Sequence, residues 1–429
     1  MPDLGKALRK LRQAFDPHPA LRATLSQRER EPLRGFGEQL KYVGSRWLKQ
    51  AAQLTLDTSD ILPPGETESS PLGSHYTIRV VHPHDYFHGK VLLSRLSSSD
   101  LQAFMNLMHE RGAVPLRDRI IFLDTETTGV QSSAGICPFL VGLGYFTGDE
   151  FHILQYFLRD FDEEPSMLYA LSQFMERFDM VVTYNGAAFD IPLLENRFTL
   201  ARLDSPFKNV THLDLLFSAR RLWRNGHGSC RLIALEREMI SFMRGPDVPG
   251  SMIPRAYFDY LQHKPSLTLK GVFSHNVYDV VSLAALTIHA CDRVVLEPAA
   301  LDDPLDLYSL GRILQNSQSW LRSIQLYEMA LAGGLPKPTR QKAMENLSVV
   351  HRRAGNHERS MEICAELMAL PEFSMTGYEG AAIYYERVAR DFESALRIVE
   401  EGLLRADTDR CKTLLQARWD RLQQKVMVW

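Results

Sequence analysis

Two carboxylates lie one residue apart in DTETTG, residues 124–129, which directly follows the apolar run IIFL. Successive side chains of a β-strand point to opposite faces, so Asp124 and Glu126 share one face at the end of a predicted strand. Two such acids repel each other unless a cation lies between them, and Mg²⁺ and Mn²⁺ both take carboxylate oxygens as ligands. Since composition alone gives about one DxE triplet in a chain of this length, the pair needs support from other residues.

A third acid, Asp190, follows the predicted strand MVVTYNG and lies in the first turn of a predicted helix. Ligand sites of helix-covered sheets commonly lie where a strand leads into a helix. Asn185 and Gly186 form the intervening turn, which could bring backbone close to a substrate strand. An acid at this position can also simply favour the helix N-terminus, an effect of about 0.3–1 kcal/mol, and both interpretations remain open.

A histidine and a fourth acid occur together in SHNVYDVVSL, where Asp279 lies four residues after His275. Positions i and i+4 of a helix lie on one face, so the imidazole and the carboxylate can reach the same point. A histidine beside a metal site is a suitable general base for water. The alternative is a histidine that caps the helix or only makes a structural hydrogen bond.

The elements that must position these residues can be predicted from the hydrophobic pattern. The runs RIIFLD, ICPFLVGLGYF and FHILQYFL are separated by turn residues and predict an antiparallel meander. Helical periodicity follows in EEPSMLYALSQFMERF, then the strand MVVTYNG, then helices over FDIPLLENRFTLARL, HLDLLFSARRLW and RLIALEREM. A last helix carries HNVYDVVSLAALTIHAC. This order predicts an α/β domain with a mixed sheet flanked by helices.

Two stretches ahead of the meander have their own predictions. TSDILPPGETESSPLGS is rich in turn residues and predicts a loop or linker. HYTIRVVHPHDYFHGKVLL predicts a strand pair, and SSSDLQAFMNLMHERG predicts a short helix with serines as caps.

Beyond Pro304 the pattern is helical only. Alignment of QSWLRSIQLYEMAL, GNHERSMEICAELM and RDFESALRIVEEGL puts Trp320, His357 and Phe392 in register, at spacings of 37 and 35 residues. This period is close to the ~34 residues of a tetratricopeptide helix pair, and such pairs stack into a solenoid. An unrelated helical bundle is the alternative.

The composition of the chain is that of a globular protein. It has 429 residues, 45% hydrophobic and 24% charged, which predicts two or three domains. Five scattered cysteines without a CxxC pair predict reduced thiols in a cytoplasmic protein and argue against a zinc ribbon. No apolar run reaches the ~20 residues of a membrane span, and the basic N-terminus lacks the apolar segment of a secretory signal.

Basic residues are concentrated in two stretches. Residues 1–50 contain eleven Lys or Arg against five Asp or Glu, and residues 197–231 contain seven against two. Such patches are typical of nucleic-acid binding, but also of solvated helix faces. Arg220, Arg221 and Arg224 have helical spacing near Trp223, so they could grip phosphates while the indole stacks on a base. Trp223 is also compatible with a core position, which is the favoured interpretation.

The motifs DTETTG, YNGAAFD and HNVYD resemble those of the DEDD exonuclease superfamily, with 64 residues from Glu126 to Asp190 and 89 from Asp190 to Asp279. The chain resembles more closely the YprB-like branch, bacterial proteins in which a ribonuclease H-like (DnaQ-like) nuclease domain precedes tetratricopeptide repeats. HLDLLFSARRLW and RGPDVPGSMIP add to this resemblance, which covers most of the chain beyond the first 60 or so residues.

The resemblance implies a metal site built from four acids, Asp124, Glu126, Asp190 and Asp279. Together they would hold two Mg²⁺ or Mn²⁺ ions, which clamp the attacking and leaving oxygens of a phosphodiester.

The base implied by the resemblance is His275. It lies four residues before the last acid, which is the spacing of the family's tyrosine class, and Tyr278 directly precedes Asp279. Asp214 is a fifth acid, for which the resemblance implies a supporting role unless it only favours a helix N-terminus.

The predicted organisation is a basic helical segment over 1–60, a strand pair and helix over 61–117, a ribonuclease H-like nuclease domain over 118–298 and helical repeats over 304–429. The resemblance implies a cytoplasmic, nucleoid-associated 3′–5′ exonuclease that degrades DNA during repair, with a helicase or other protein bound by the repeats. The candidate contacts to DNA are Asn185, Arg220, Arg221 and Arg224. The alternatives are the same chemistry on RNA and a noncatalytic adaptor built on a nuclease fold.

Overall fold

The structure is a computed structural model that describes residues 62–129, 135–224, 228–264, 267–295, 301 and 303–426. The predicted basic segment over residues 1–60 lies outside the described residues. A seven-stranded mixed sheet with helices on both faces occupies the first part of the described chain, and the rest is helical. The predicted α/β class with an all-helical C-terminal region is confirmed.

The strands of the described residues fall into one large sheet and one small hairpin. They are β1 (Glu66–Ser70), β2 (Gly73–His82), β3 (Phe87–His88), β4 (Val91–Leu92), β5 (Ile120–Thr127), β6 (Pro138–Thr147), β7 (Glu150–Phe157), β8 (Met180–Thr183) and β9 (Thr211–Asp214). The large sheet has the order β1-β2-β7-β6-β5-β8-β9. In it β8 runs parallel to β5 and β9, and the other neighbours are antiparallel. The predicted meander of β5, β6 and β7 is therefore present.

Seven helices accompany the sheet and seven more follow in the described residues. The first set is α1 (Leu101–Leu107), α2 (Glu164–Met175), α3 (Asp190–Leu200), α4 (Leu215–Trp223), α5 (Leu232–Met239), α6 (Ile253–Leu261) and α7 (Leu267–Val295). The second set is α8 (Pro304–Asn316), α9 (Trp320–Ala332), α10 (Lys337–Arg353), α11 (His357–Ala369), α12 (Met375–Tyr384), α13 (Phe392–Arg405) and α14 (Asp409–Val426).

Several local predictions ahead of the meander differ from the structure. The linker prediction is wrong for residues 66–70, which form β1 because they pair along their whole length with β2. The expected strand pair is also wrong, since β2 pairs with β1 and β7, and only the short β3 and β4 pair with each other. The cap of α1 is Asp100, whose side chain accepts from Ala103 N at 2.8 Å, and not a serine.

The run HLDLLFSARRLW, predicted as one helix, divides in two. Its first residues belong to β9, because they pair with β8 at the edge of the sheet, and α4 begins only at Leu215. The strand therefore ends at Asp214, and this change of structure decides what that acid does in the site.

Two hydrophobic clusters lie on opposite faces of the sheet. Alternation along β5 places Ile120 and Phe122 in one cluster and Ile121 and Leu123 in the other. The 29-residue helix α7 contributes to both, with residues 269–273 in the second cluster and residues 280–294 in the first. Helix α7 packs against β5 and β6, and its residue Asn276, between these two groups, contacts Asp124 of β5 and Gly142 of β6.

Two glycines of β6 allow α7 to approach the sheet closely. A Cβ atom at Gly142 would lie 2.1 Å from Asn276 Oδ1, and one at Gly144 would lie 2.5 Å from Val280 Cγ1. Both distances are far shorter than any van der Waals contact, so a larger residue would push the helix away. The glycines thus fix the part of α7 that carries His275 and Asp279.

The second set of helices begins with three consecutive pairs, α8 with α9, α10 with α11 and α12 with α13. The aligned residues Trp320, His357 and Phe392 are the first residues of α9, α11 and α13. Two residues before each of them the backbone φ is positive, at Gln318, Gly355 and Arg390. The aligned residues therefore begin equivalent helices, while their assignment to tetratricopeptide repeats stays a prediction.

The helical region packs directly on the domain that contains the seven-stranded sheet. Leu307 and Tyr308 of α8 lie in the same hydrophobic cluster as Trp223 of α4, and Arg293 Nη1 lies 3.6 Å from Asp306 Oδ2. The last three helices have a separate small cluster around Tyr378. Within the described residues, the apolar length of every helix falls short of a membrane span.

Candidate active site

Strand β5 presents Asp124 and Glu126 where it ends beside α7. Asn276 Nδ2 donates to Asp124 Oδ2 at 2.9 Å and to the Asp124 carbonyl at 3.3 Å. Gln155 Nε2 in turn donates to Asn276 Oδ1 at 2.8 Å. This relay holds the Asp124 carboxylate in one orientation, and Glu126 beyond it is buried, at 8% exposure.

Asp190 reaches the same end of the sheet because β5 and β8 are parallel neighbours. The chain leaves β8, turns at Asn185 and enters α3 with Asp190 as its first residue. The Asp190 carboxylate is buried and accepts a hydrogen bond from Thr125 Oγ1 at 2.5 Å. Asp190 is therefore hydrogen-bonded to Thr125, the residue of β5 between Asp124 and Glu126. This bond gives Asp190 a second role in addition to its position at the N-terminus of α3.

Helix α7 completes the site with His275 and Asp279. His275 Nε2 lies 3.3 Å from Asp279 Oδ2 and 3.9 Å from Glu126 Oε1. Ligand atoms of Glu126, His275 and Asp279 all lie within 4.8 Å of one another, a grouping that could hold a metal ion. The helical i, i+4 spacing thus brings the two side chains to one point, as predicted.

The acids also influence each other's protonation. Burial, together with the charges of Asp279, Glu126 and Asp190, raises the pKa of Asp124 well above its usual value. Burial raises the pKa of Glu126 to about 8 despite the opposing charge of His275. Burial likewise raises the pKa of Asp190 to about 6, against the hydrogen bond from Thr125. The predicted acids therefore form one electrostatic cluster, in which gathered negative charge is unfavourable without a cation.

A second layer of charged residues surrounds His275 and Asp279. Arg244 donates to both Glu236 oxygens, at 2.5 and 2.7 Å, and to Asp247 Oδ2 at 3.0 Å. It also donates to Asp279 Oδ1. Its side chain is only 5% exposed and Glu236 is fully buried, so this is a buried ion network in which each charge has partners.

Asp247 holds the imidazole of His275. Its Oδ1 lies 2.7 Å from His275 Nδ1, so Nδ1–H donates to the carboxylate and Nε2 faces Glu126 and Asp279. Burial alone would lower the pKa of His275, but the bond to Asp247 and the charges of Asp279 and Glu126 raise it to about 9.

Arg244, Asp247 and Glu236 were not predicted from the sequence to be site residues. The first two lie in RGPDVPG, a stretch that contributed to the resemblance but has no helical or strand periodicity. The path of such a loop cannot be predicted from its residue pattern. The sequence therefore showed only that an Arg and an Asp lie between turn residues.

Asp214 supports the site and does not join the acid cluster. Its Oδ1 accepts from Asn185 N at 2.7 Å and Leu216 N at 3.0 Å, and its Oδ2 accepts from Ala187 N at 3.0 Å. It therefore caps α4 and at the same time pins the turn that leads to Asp190. Both interpretations made from the sequence describe part of this role.

The three arginines predicted to contact DNA are all exposed, namely Arg220, Arg221 and Arg224. Arg221 also donates to the carbonyl of Met108 and so links α4 to the end of α1. Trp223 is 3% exposed and belongs to the first hydrophobic cluster. The favoured interpretation of Trp223 as a core residue is confirmed, and contact of Asn185 and the three arginines with DNA stays a prediction.

Comparison with known proteins agrees with this architecture. Residues 121–291 match a family model described as the RNase H superfamily. This match, together with the mixed sheet and its flanking helices, shows a ribonuclease H-like fold for this part of the chain. The matched residues include β5, α3 and α7, and with them all four acids and His275.

A curated relative extends the similarity beyond this domain. The chain is 29% identical over 294 residues to the uncharacterized protein YprB of Bacillus subtilis (strain 168), an alignment that covers 67% of this chain and 70% of YprB. The resemblance to the YprB-like branch stated from the motifs is thereby confirmed. A nuclease-like domain of this kind implies binding of nucleic acid.

Proposed function

We propose that the protein is a divalent-metal-dependent 3′–5′ exonuclease that hydrolyses DNA phosphodiester bonds. The observation that carries this proposal is the convergence of four acids from three separate elements, β5, α3 and α7, at one end of the sheet. The 3′–5′ direction, the preference for DNA and a role in bacterial DNA repair rest on the resemblance of the motifs to the DEDD exonucleases.

The donor set suits hard divalent cations. Carboxylate oxygens are the preferred ligands of Mg²⁺ and Mn²⁺. Burial, together with the charges of neighbouring acids, raises the pKa values of Asp124, Glu126 and Asp190. Asp124, Glu126, Asp190 and Asp279 would hold two such ions, which when bound generate a nucleophile from water and stabilise the leaving oxygen.

His275 is assigned to proton transfer at Nε2. Asp247 occupies Nδ1, so Nε2 is directed at the acid cluster, where an attacking water would lie. Tyr278, the alternative base, packs its ring against Phe242 at 5.6 Å between centroids and beneath the Arg244 guanidinium at 5.7 Å. These contacts support His275 over Tyr278.

Two neighbours position the reacting groups. Arg244 holds Asp279 Oδ1, while Oδ2 faces His275 and the cluster, so the guanidinium orients this carboxylate without covering both oxygens. Phe189 directly precedes Asp190 and is 51% exposed. An exposed ring beside the site can stack on a nucleobase of the substrate strand.

The experiment uses the purified full-length protein with 5′- and 3′-labelled single-stranded DNA, duplex DNA and RNA, in Mn²⁺, Mg²⁺ or chelator. A 5′-labelled strand is expected to shorten stepwise from its 3′ end with either metal and to stay intact in chelator. Asp124→Asn and Asp279→Asn should each reduce the rate by about 10³-fold, the scale of lost electrostatic and metal catalysis. Asp259→Asn, at the surface of α6, is the matched control and should keep full activity.

Each other outcome removes a part of the proposal. Product formed in chelator, or no product on any substrate, contradicts metal-dependent hydrolysis, and complete inactivity favours an adaptor. Degradation of RNA but not DNA assigns the site to an exoribonuclease. Activity in Asp124→Asn equal to that of Asp259→Asn removes the site assignment.

A further inference from the structure

A groove opens in the helical region, away from the acid cluster. Its volume is about 420 Å³, and it lies where the end of α10 and the start of α11 meet the end of α12. This volume falls within the ~300–1,000 Å³ of sites that enclose small ligands or a few side chains. The wall residues are of two kinds, with arginines Arg352, Arg353 and Arg387 beside apolar and aromatic Ile383, Tyr384 and Val388.

The guanidinium groups of the three arginines have no hydrogen-bonded or ion-paired partner among the described residues. Arg353 and Arg387 are exposed to solvent. Arg352 is half-buried, and burial lowers the pKa of its guanidinium despite the charges of Cys364 and Glu379. A partly buried cation without a hydrogen-bonded anion is costly, so an anion from outside would find a prepared site here.

The acids next to the groove are already engaged from the other side. Glu379 accepts from Arg418 at 2.9 Å. Glu386 is buried and accepts from Lys425 at 2.7 Å and from Arg418 at 3.2 Å. Helix α14 thus engages both acids, and the described residues that line the groove include no carboxylate.

The surrounding region does not resemble a surface for polyanions. Residues 304–429 contain 17 Lys or Arg against 16 Asp or Glu, whereas binding to a nucleic-acid backbone needs a broad positive surface. The positive charge is confined to the groove, and its walls include the apolar Ile383 and the 37% exposed Val388. This combination matches a ligand that carries carboxylates and an apolar side chain together.

We propose that this arginine groove binds a short acidic segment of another protein, in which carboxylates flank at least one apolar side chain. The carboxylates pair with Arg352, Arg353 and Arg387, and the apolar side chain packs against Ile383 and Val388. Pairing of a guanidinium with a carboxylate in a partly desolvated groove gives both affinity and orientation. Binding here is independent of nuclease activity.

The test is fluorescence anisotropy with the full-length protein and labelled nine-residue peptides. The acidic set contains Asp and Glu around a single Leu, Phe or Ile, and the control set replaces each acid with Gln or Lys. Saturable binding of acidic peptides alone is expected, with affinity that falls as salt is raised. Arg352→Gln and Arg387→Gln should each weaken it about tenfold, the effect of one charge-assisted hydrogen bond.

Arg397→Gln is the matched control, because it removes the same charge from α13, where Arg397 bonds Ser394 outside the groove. It should bind like the wild type, and thermal melts of all variants show whether they fold. Absence of saturable binding by every acidic peptide up to about 1 mM, or equal weakening by Arg397→Gln, overturns the proposal. Displacement of the peptide by a twelve-nucleotide oligothymidylate at lower concentration would instead assign the groove to nucleic acid.

Discussion

Asp247 determines how the His275 imidazole is oriented, because its Oδ1 lies 2.7 Å from Nδ1. Asp247→Asn keeps the shape but removes the charge that favours Nδ1–H. We expect kcat to fall by about 10–100-fold with little change in KM, the usual effect of a residue that positions a catalytic group. Steady-state kinetics on the labelled DNA strand measures this split.

A second readout separates positioning from simple damage to the fold. In the metal-free Asp247→Asn variant, NMR titration should give a pKa of His275 below the wild-type value of about 9, because the bond to Asp247 helps to raise that pKa. Asp259→Asn should leave both kcat and this pKa unchanged. A wild-type pKa in Asp247→Asn would show that Asp247 does not act on His275.

The raised pKa values of Glu126 and His275 predict how stability depends on pH without metal. A group whose pKa is higher in the folded than in the unfolded state stabilises at low pH and loses that contribution as pH rises. The pKa of Glu126 rises from 4.5 to about 8 and that of His275 from 6.5 to about 9. In chelator, the melting temperature should therefore fall as the pH rises from about 4.5 to about 9, most steeply between about pH 6.5 and pH 8, where both groups contribute.

The matched variant for this stability prediction is Glu126→Gln, which removes the titrating acid. Its melting temperature in chelator should exceed that of the wild type, with a smaller decline over the same pH range, because one clustered negative charge is gone. Mn²⁺ should stabilise the wild type and have less effect on the variant. Differential scanning fluorimetry measures the melting temperatures of both proteins against pH, in chelator and with Mn²⁺. Identical wild-type and variant curves would contradict the acid cluster.

At the scale of elements, the site depends on the distance between β6 and α7. A Cβ atom at Gly142 would lie 2.1 Å from Asn276 Oδ1, so Gly142→Ala must displace the helix or the amide that holds Asp124. We expect a loss of about 1–3 kcal/mol in the free energy of unfolding, typical of overpacking, and a larger proportional loss of nuclease activity. Denaturant melts and the DNA assay give the two numbers.

Gly250→Ala is the control for this substitution, because a Cβ atom there would meet no atom within 4 Å. It should change neither stability nor activity. If Gly142→Ala proved as active as Gly250→Ala, close packing of α7 on β6 would not be what aligns the site.

The elements also show how far the sequence could predict the site. Strand alternation predicts that Asp124 and Glu126 share a face, and helical spacing predicts that His275 and Asp279 meet, whereas the grouping of Asp190 with these acids was implied only by the resemblance of the motifs. Asp247 could not be identified, because it lies in a loop between turn residues. β1 and β9 were missed because ETESS and THLD become strands only through pairing with β2 and β8, an interaction between distant segments that local propensity does not contain.

At the scale of the whole molecule, the helical region and the ribonuclease H-like domain share one hydrophobic cluster. Leu307 and Tyr308 lie in it together with Trp223 and Leu286. Deleting residues 304–429 would expose several such side chains, each worth about 1.5–3 kcal/mol of burial. We expect the shortened protein to melt about 10–20 °C lower or to aggregate.

A shorter deletion tests the same point with less disruption. Removing residues 372–429 takes away α12 to α14, whose small cluster around Tyr378 is separate. This protein should retain nuclease activity and lose less of its melting temperature than the longer deletion. Equal melting temperatures for the longer deletion and the full chain would mean that the two parts fold independently.

The central claim is that Asp124, Glu126, Asp190 and Asp279 bind divalent metal ions for hydrolysis. The most direct measurement is an anomalous difference map from crystals grown with Mn²⁺. Two strong peaks enclosed by these four carboxylates, about 3.5–4 Å apart as in other two-metal sites, are the predicted result. A map in which Mn²⁺ is well occupied elsewhere and absent from this cluster would contradict the claim.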